Sequence, residues 1–413
     1  MSDLQITDWS EVLISDIISE IQTGVSVNSE NRRRGASELG ILKTSCISQG
    51  QFFPEEHKAV LADEVERVKT PLMRENILMS RMNTPNLVGE IGYVQHHHPD
   101  IYLPDRLWMF NGREGTSDTR FLSHLLSSDG FRQQLGDIAT GTSGSMKNIP
   151  QQSFLQIPIQ LPPLPEQKKI AEILSGIDRL IEGATRILAK KYLLRYSLMK
   201  KIIPHPSSFP NGGPTEDWTE VALDDVCSLI TYGFTNPMPT TSSGIYMVTA
   251  KDVRNGSIDK GTARFTSNEA YENLLTDKSR PIKNDILVTK DGTLGRTALI
   301  RDETVCINQS IALVRSKDES NAKFLHLLLS SPHYQETMLD QSGGSAVKHI
   351  YITTLAKMQI LMPTNQEVRE KVVSLFASLN KSINLASNKI DSLNKLKVGF
   401  TSDLLSGRKR VSI

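Results

Sequence analysis

Two loops of this chain combine glycines and hydroxyl side chains with a lysine near their end. Lysine loop 1 covers residues 140–148 and reads TGTSGSMKN, and lysine loop 2 covers residues 342–349 and reads SGGSAVKH. Glycine lets backbone N–H groups approach an anion closely, hydroxyls donate hydrogen bonds, and lysine supplies charge. The combination predicts a phosphate-binding surface, and an ordinary solvated turn is the alternative.

The motifs of several enzyme classes are missing from the sequence. It contains no G-x-x-x-x-G-K-[S/T] phosphate loop, no G-x-G-x-x-G after a strand and no H-E-x-x-H. Pro162-Pro163 follows Leu161, whereas an amino-methyltransferase needs Asn or Asp there to hold its target amino group. Residues 96–98 are all histidine, and successive side chains of an extended segment point to opposite faces, so the three cannot all face one metal. Binding is therefore predicted, with an enzyme carrying an unrecognised site as an alternative.

Composition narrows the class of protein further. The chain has 413 residues, of which 38% are hydrophobic, enough for two to four compact units. Forty-seven basic and 46 acidic residues give a net charge of +1, so nucleic-acid binding must use local basic faces. We find no signal-like N-terminus and no membrane-length apolar run, and predict a cytoplasmic protein. Cys46, Cys227 and Cys306 are too far apart for a disulfide framework or a zinc site.

The chain contains an internal repeat. Residues 9–12 (WSEV) return as residues 218–221 (WTEV), an offset of 209. The offset drifts to 203 where Phe121 matches Phe324, and to 201 where Lys147 matches Lys348. An ordered, slowly drifting offset is what loop-length changes between two copies of a domain produce. Each copy has short strand-like runs, such as residues 245–249, followed by a helical run.

Both helical runs carry apolar residues at seven-residue spacing over four to five heptads, which predicts a coiled coil. Two separate amphipathic helices, each packing on its own domain, are the alternative. The apolar positions expected to pair the helices or dock a partner are Ile170, Ile177, Leu180, Ile187, Leu379, Ile383, Leu393 and Phe400.

The predicted fold class is α+β. Two tandem α+β domains are each followed by a long helix, and the two helices pair as an antiparallel coiled coil in a pseudo-twofold internal repeat. Four prolines and two glycines in residues 204–214 indicate a linker between the copies. The predicted segments are the first domain (1–163), first helix (164–203), linker (204–217), second domain (218–363), and second helix with C-terminal tail (364–413).

A family resemblance becomes specific at residues 161–174, LPPLPEQKKIAEIL, and at residues 403–408, DLLSGR. Together they resemble the specificity subunit of type I restriction–modification systems over essentially the whole chain. Residues 290–296 (KDGTLGR) and 307–311 (INQSI) also resemble family motifs. The first copy departs from them, with RMNT at residues 81–84 and Pro104-Asp105 in place of Asn308-Gln309.

The resemblance implies a non-catalytic subunit in which each domain recognises one half of an asymmetric, bipartite double-stranded DNA target. The helices would set the spacing of the halves and dock two methyltransferase (modification) subunits, and a restriction–translocase subunit would join. No cofactor of its own is implied; S-adenosylmethionine, ATP and Mg²⁺ would serve the partners. A related system with a fused methyltransferase–nuclease partner, and a two-headed protein-interaction scaffold, are the alternatives.

Candidate DNA contacts follow from comparing the copies, because shared basic positions suit phosphate and differing loops suit base readout. Where the first copy has the Arg32–Arg34 cluster, the second copy has TNPMP at residues 235–239 instead. Such a difference is expected of a loop that varies with its target. For each candidate, a solvated surface charge or a turn requirement is the alternative. The predicted DNA-binding residues are Arg32, Arg33, Arg34, Lys43, Arg81, Asn83, Lys147, Asn148, Lys251, Lys290, Asp291, Arg296, Lys348 and His349.

Overall fold

A computed structural model shows two compact units in this chain. Unit 1 comprises residues 1–184 and 388–413, and unit 2 comprises residues 185–387. The predicted linker lies outside the described residues, and no helix among them is long and apolar enough to cross a membrane. The structure describes residues 8–141, 146–203, 218–254, 256–343 and 348–412.

Unit 1 is built from short strands followed by helices. Its strands are β1 (Ser10–Leu13), β2 (Gln22–Thr23), β3 (Ser29–Glu30), β4 (Gly40–Leu42), β5 (Ile47–Ser48), β6 (Gln51–Phe52), β7 (His57–Val60), β8 (Pro71–Leu72), β9 (Asn76–Ser80), β10 (Met82–Asn83), β11 (Ile91–Val94), β12 (His98–Tyr102), β13 (Leu107–Phe110), β14 (Lys147–Asn148) and β15 (Pro158–Leu161). Its helices are α1 (Ile14–Ile17), α2 (Thr119–Leu126), α3 (Asp129–Ile138), α4 (Gln151–Leu155) and the start of α5 (Leu164–Ile202).

Unit 2 is likewise built from short strands followed by helices. Its strands are β16 (Trp218–Ala222), β17 (Cys227–Tyr232), β18 (Ile245–Val248), β19 (Val253–Arg254), β20 (Ser257–Ile258), β21 (Arg264–Thr266), β22 (Ile286–Thr289), β23 (Thr297–Leu299), β24 (Val305–Ile307), β25 (Ile311–Ser316) and β26 (Gln359–Pro363). Its helices are α6 (Asn268–Leu274), α7 (Ala322–Leu329), α8 (Pro332–Asp340), α9 (Ile352–Ala356) and the start of α10 (Gln366–Leu405).

Sheet topology confirms the internal repeat. Unit 1 contains a four-stranded sheet of order β11-β9-β13-β2, and unit 2 contains β23-β22-β25-β17, which is the same order in the second copy. A parallel pair recurs as β4–β12 and β18–β24. The first strand of each copy also pairs antiparallel with the last, as β1–β15 and β16–β26. The strand expected at residues 245–249 is confirmed as β18.

The two long helices enter the cores of both units. In unit 1, Ile170 and Leu174 of α5 and Leu404 of α10 belong to one buried apolar cluster. In unit 2, Met199 of α5 and Phe376 of α10 belong to another. Each unit therefore buries the beginning of one long helix and the end of the other, so it needs residues from both halves of the chain.

Contacts within each unit show that α5 and α10 run antiparallel. In unit 2, Lys191 Nζ lies 2.5 Å from Ser382 Oγ, and Arg195 Nε donates to Asn380 Oδ1 at 2.9 Å, so numbers rise along one helix and fall along the other. In unit 1, Asp178 forms an ion pair with Lys397 at 2.7 Å. The predicted antiparallel coiled coil is confirmed.

A buried ion pair ties the C-terminal tail to the start of α5. The Glu166 carboxylate, 1% exposed, accepts two hydrogen bonds from the Arg410 guanidinium, at 2.6 and 2.8 Å. The Trp9 indole N–H donates to the same carboxylate at 3.2 Å. A buried carboxylate is stable only when it is paired and hydrogen-bonded. The tail beyond α10 is therefore a structural part of unit 1.

We predict that Arg410→Ala destabilises unit 1 by roughly 3 kcal/mol, because it leaves a buried carboxylate without its cation. Amide hydrogen exchange resolved by peptide should show faster exchange in unit 1 and unchanged exchange in unit 2. Arg408→Ala is the matched control, since that side chain is 62% exposed beside Asp403. Equal effects of the two substitutions would contradict the structural role of Arg410.

Candidate nucleic-acid interface

In unit 2, the turn after β22 meets the end of lysine loop 2. The Ile350 N–H donates to the Lys290 carbonyl at 2.9 Å, and Asp291 and His349 form an antiparallel bridge. The turn requires glycine at Gly292, whose φ of 76° lies in the left-handed region. The fold thus brings together two segments of candidates that lie far apart in the sequence.

Unit 1 repeats this arrangement after β9. The Ile149 N–H donates to the Arg81 carbonyl at 2.9 Å, and β10 pairs antiparallel with β14. In that pairing Met82 faces Asn148 and Asn83 faces Lys147. By their backbone partners, Arg81 is equivalent to Lys290 and Asn148 to His349.

Both lysine loops are closed by the same pair of backbone hydrogen bonds. Thr140 and Asn148 exchange N–H···O bonds of 2.8 Å each, and Gly343 and His349 exchange bonds of 3.0 and 2.8 Å. Residues 142–145 and 344–347, which carry most of the predicted glycines and hydroxyls, lie outside the described residues.

Asp291 is the centre of a small charged cluster in unit 2. Its carboxylate accepts from His349 Nδ1 at 2.5 Å and from Lys290 Nζ at 2.9 Å. Partial burial opposes ionisation, but these hydrogen bonds and the nearby positive charges outweigh it and lower the pKa of Asp291. The Lys290 ammonium also lies 5.6 Å from the ring centre of Tyr232. Lys290 and His349 are thus held in place by one carboxylate.

The equivalent side chains of unit 1 are placed differently. Arg81 Nε donates to the Asp105 carbonyl at 2.8 Å and the side chain is half-buried. Asn83 is buried: its amide donates to Ser80 Oγ at 3.2 Å and accepts from the Thr84 N–H at 2.8 Å. The Asn83 amide therefore serves the turn itself, which argues against direct contact with DNA.

Two arginines of the Arg32–Arg34 cluster form ion pairs within unit 1. Arg32 lies 2.6 Å from both Glu30 and Glu38, whose hydrogen bonds raise its pKa. Arg34 lies 3.0 Å from Asp100 and also donates to backbone carbonyls. Arg33 is exposed, and we find no ion pair of its side chain within the described part of the chain. Of the three arginines predicted to bind DNA from their charge density, only Arg33 thus has a guanidinium without an ion pair among the described residues.

The remaining candidates differ in exposure. Lys43 lies 3.7 Å from Glu56 and is partly shielded. Lys251, Arg296 and Lys348 are exposed, and none of the three forms an ion pair with a described residue.

Comparison with known proteins decides the family. The sequence profile described as "Type I restriction modification DNA specificity domain" matches residues 6–190 and 215–395, once for each copy of the repeat. The chain belongs to this family. It is the DNA specificity subunit of a type I restriction–modification system, as the motifs at residues 161–174 and 403–408 predicted.

Two curated sequences and a solved structure resemble this specificity subunit. The Type I restriction enzyme EcoBI specificity subunit of Escherichia coli is 26% identical over 71% of this chain and 67% of its own length. A putative type I restriction enzyme specificity subunit, MjaX, of Methanocaldococcus jannaschii is 23% identical over 98% of this chain and 94% of its own. The crystal structure of the type I S subunit from M. genitalium superposes with a TM-score of 0.59 at 13% identity, covering 100% and 99% of the two chains.

The helix residues predicted for this specificity subunit fall into two groups. Ile170, Ile177 and Ile383 are buried, and Leu379 and Leu393 are half-buried along the same seam. Leu180 and Ile187 are 59% and 54% exposed, and Phe400 near the end of α10 is 38% exposed. Coiled-coil packing is wrong for Leu180 and Ile187, because the buried row of α5, which contains Ile177, lies three residues away. Partner docking by them stays a prediction.

A polar cluster that the sequence did not reveal joins α2 to both long helices in unit 1. Arg120 Nε donates to Ser175 Oγ at 2.9 Å, and the His124 ring lies 3.0 Å from the same oxygen. Burial lowers the pKa of His124 to about 4, although Asp178 lies 3.9 Å away, so His124 is neutral at pH 7. The cluster borders a cavity of about 480 Å³. No motif or residue spacing in the sequence predicts this cluster.

Tyr232, at the end of β17, was also missed. The first copy has Thr23 at this position, so the lysine–tyrosine contact of the specificity subunit exists in unit 2 alone among the described residues. The signal available in the sequence was the difference between the copies at an otherwise matched strand end.

We predict that Lys147→Ala and Lys348→Ala weaken DNA binding about equally for all sequences. A phosphate contact carries no sequence information, and its loss lowers the slope of log affinity against log salt by about one. Fluorescence anisotropy across a salt series measures this slope. Lys283→Ala is the control, because that lysine lies 3.0 Å from Asp302. An unchanged slope in both loop variants would remove the lysines from the interface.

Proposed function

We propose that each unit binds one half of an asymmetric, bipartite DNA target with the face formed by its lysine loop and the turn after β9 or β22. The observation that carries this proposal is the common backbone arrangement of the two faces. It places basic residues at equivalent positions, Arg81 with Lys290 and Lys147 with Lys348. Shared basic positions suit phosphate, which is the same in every target.

Exposed basic residues elsewhere in each unit are proposed to add phosphate contacts. Arg33 in unit 1, and Lys251 and Arg296 in unit 2, have no described ion-pair partner, so they can neutralise phosphates without breaking an internal contact. Such contacts give affinity and orientation, while differing side chains beside them give specificity.

The long helices are proposed to set the gap between the half-sites. Both helices continue from one unit into the other, α5 at residues 184/185 and α10 at residues 387/388. A continuous helix has a fixed rise of about 1.5 Å per residue, so its length fixes a distance. Half-sites read from one face of DNA lie roughly 34–36 Å apart.

Deleting residues 181–187 and 385–391 tests whether the helices set the gap. The deletion removes one heptad from each helix, at the residues where it continues from one unit into the other. The deletion shortens the helices by about 10 Å, or about three base pairs. We expect unchanged half-sites with a shorter gap, or loss of binding because the halves fall out of phase around the DNA. Methylation-aware sequencing of host DNA reads the gap directly. An unchanged gap would refute the proposal that the helices set the distance between the half-sites.

Two methyltransferase subunits are proposed to dock on the exposed apolar faces of the helices. In unit 2, the last part of α5 exposes Tyr192, Leu193 and Leu194, each at least 50% accessible. In unit 1, the last part of α10 exposes Leu396 and Val398, at 47% and 65%. Clustered apolar residues on a helix surface are typical of protein-binding sites. Because the repeat supplies one such face to each unit, two copies of one partner are expected.

We predict that Leu193→Glu and Val398→Glu each remove one methyltransferase subunit, since a charge in an apolar interface costs binding energy. Native mass spectrometry of the co-expressed complex should fall from two partners to one in each single variant. Leu193→Met keeps an apolar side chain and should retain both partners. Two bound partners in both glutamate variants would place the docking surface elsewhere.

The partners would supply the chemistry of the complete system. S-adenosylmethionine would serve the methyltransferase subunits, and ATP and Mg²⁺ a restriction–translocase subunit, with the specificity subunit holding no cofactor of its own. The docking faces suit a separate methyltransferase as well as one fused to a nuclease. Host DNA as the target is consistent with action in the cytoplasm.

A further inference from the structure

The two recognition faces share their backbone but differ at one pair of side chains. Met82 faces Asn148 in unit 1, and Asp291 faces His349 at the equivalent bridge in unit 2. Basic residues flank both pairs, so the charge needed for phosphate is retained while the central pair changes. Positions that vary within a common frame are where two half-sites can be told apart.

His349 is held by an ionised carboxylate. Asp291 Oδ1 accepts from His349 Nδ1 at 2.5 Å, and Lys290 fixes the other carboxylate oxygen at 2.9 Å. The Asp291 and Lys290 side chains are 24% and 16% exposed, whereas that of His349 is 40% exposed. A carboxylate on Nδ1 sets the tautomer and the ring orientation of a histidine. Among the described residues, His349 Nε2 has no hydrogen-bond partner.

Asn148 presents a different pattern at the same backbone position. Its Oδ1 is buried and finds no hydrogen-bond partner among the described residues, and the thioether of Met82 opposite cannot donate to it. The imidazole of unit 2 is thus oriented by its bridge partner, and the amide of unit 1 is not.

We infer that His349 is a specificity-determining residue of unit 2, whose Nε2 hydrogen-bonds to a base edge, and that Asp291 is its positioning residue. With Nδ1–H engaged, Nε2 of the neutral ring accepts from an exocyclic amino group of adenine or cytosine. Nε2 of the protonated ring donates to N7 or O6 of guanine. The inference rests on the DNA-binding face proposed above. It adds which atom reads a base and which side chain orients it.

The test uses substitutions in the full complex, co-expressed with its methyltransferase, and two of them exchange the residues of the two copies. In His349→Asn, we expect one position of one half-site to become degenerate or to change, with the gap and the other half-site unchanged. Discrimination at that position should fall roughly tenfold or more. Asp291→Asn should relax the same position, and Asn148→His should alter only the other half-site. Methylation-aware sequencing of host DNA reads all three.

Lys348→Ala separates base readout from phosphate contact. It should lower methylation at every site and leave the motif unchanged. If His349→Asn abolishes methylation, the affinity of the purified complex is measured for duplexes that each carry one base change. These affinities show whether discrimination at one position is lost. Affinity lost equally for every duplex, or a motif and discrimination identical to those of the unsubstituted complex, would overturn the inference. A complete complex that yields no bipartite motif would instead refute the proposed function, and the role of His349 with it.

Discussion

Both recognition units depend on the antiparallel pairing of α5 and α10, because each core contains the end of a helix that starts in the other unit. Leu404 packs in the core of unit 1, and Met199 packs in that of unit 2. The buried Glu166 makes this dependence strict in unit 1, since its carboxylate needs Arg410 from the far end of the chain. Unit 1 is therefore built from both ends of the chain, whereas unit 2 is one contiguous segment that begins within α5 and ends within α10.

The shared frame separates the positions that are the same in both units from those that differ between them. The pairing of strands, the loop-closing hydrogen bonds and the basic positions recur in both units, whereas Met82 and Asn148 are exchanged for Asp291 and His349. A duplicated fold can change one recognition face without disturbing the helices. Such independence is what the proposed asymmetric target requires of one chain.

The sequence predicted the repeat and the long helices, because these leave matched or periodic signals. It did not predict that the lysine loops meet the turns after β9 and β22, which only the fold brings together. It could not predict which apolar row forms the seam, since Ile177 and Leu180 lie on neighbouring rows of one helix and only packing distinguishes them. Arg32 looked available from its charge, but its carboxylate partners, including Glu38, come from turn geometry. The contact of Glu166 with Arg410, 244 residues apart, leaves no local signal.

The most direct test is the methylation pattern that this subunit directs. The chain would be co-expressed with its methyltransferase in a host that lacks other adenine methylation, and the host DNA would be sequenced with detection of modified bases. The structure predicts a single motif of two different half-sites, separated by a fixed number of unspecified bases. A continuous motif, or two half-sites at variable separation, would contradict reading by two units joined through paired helices.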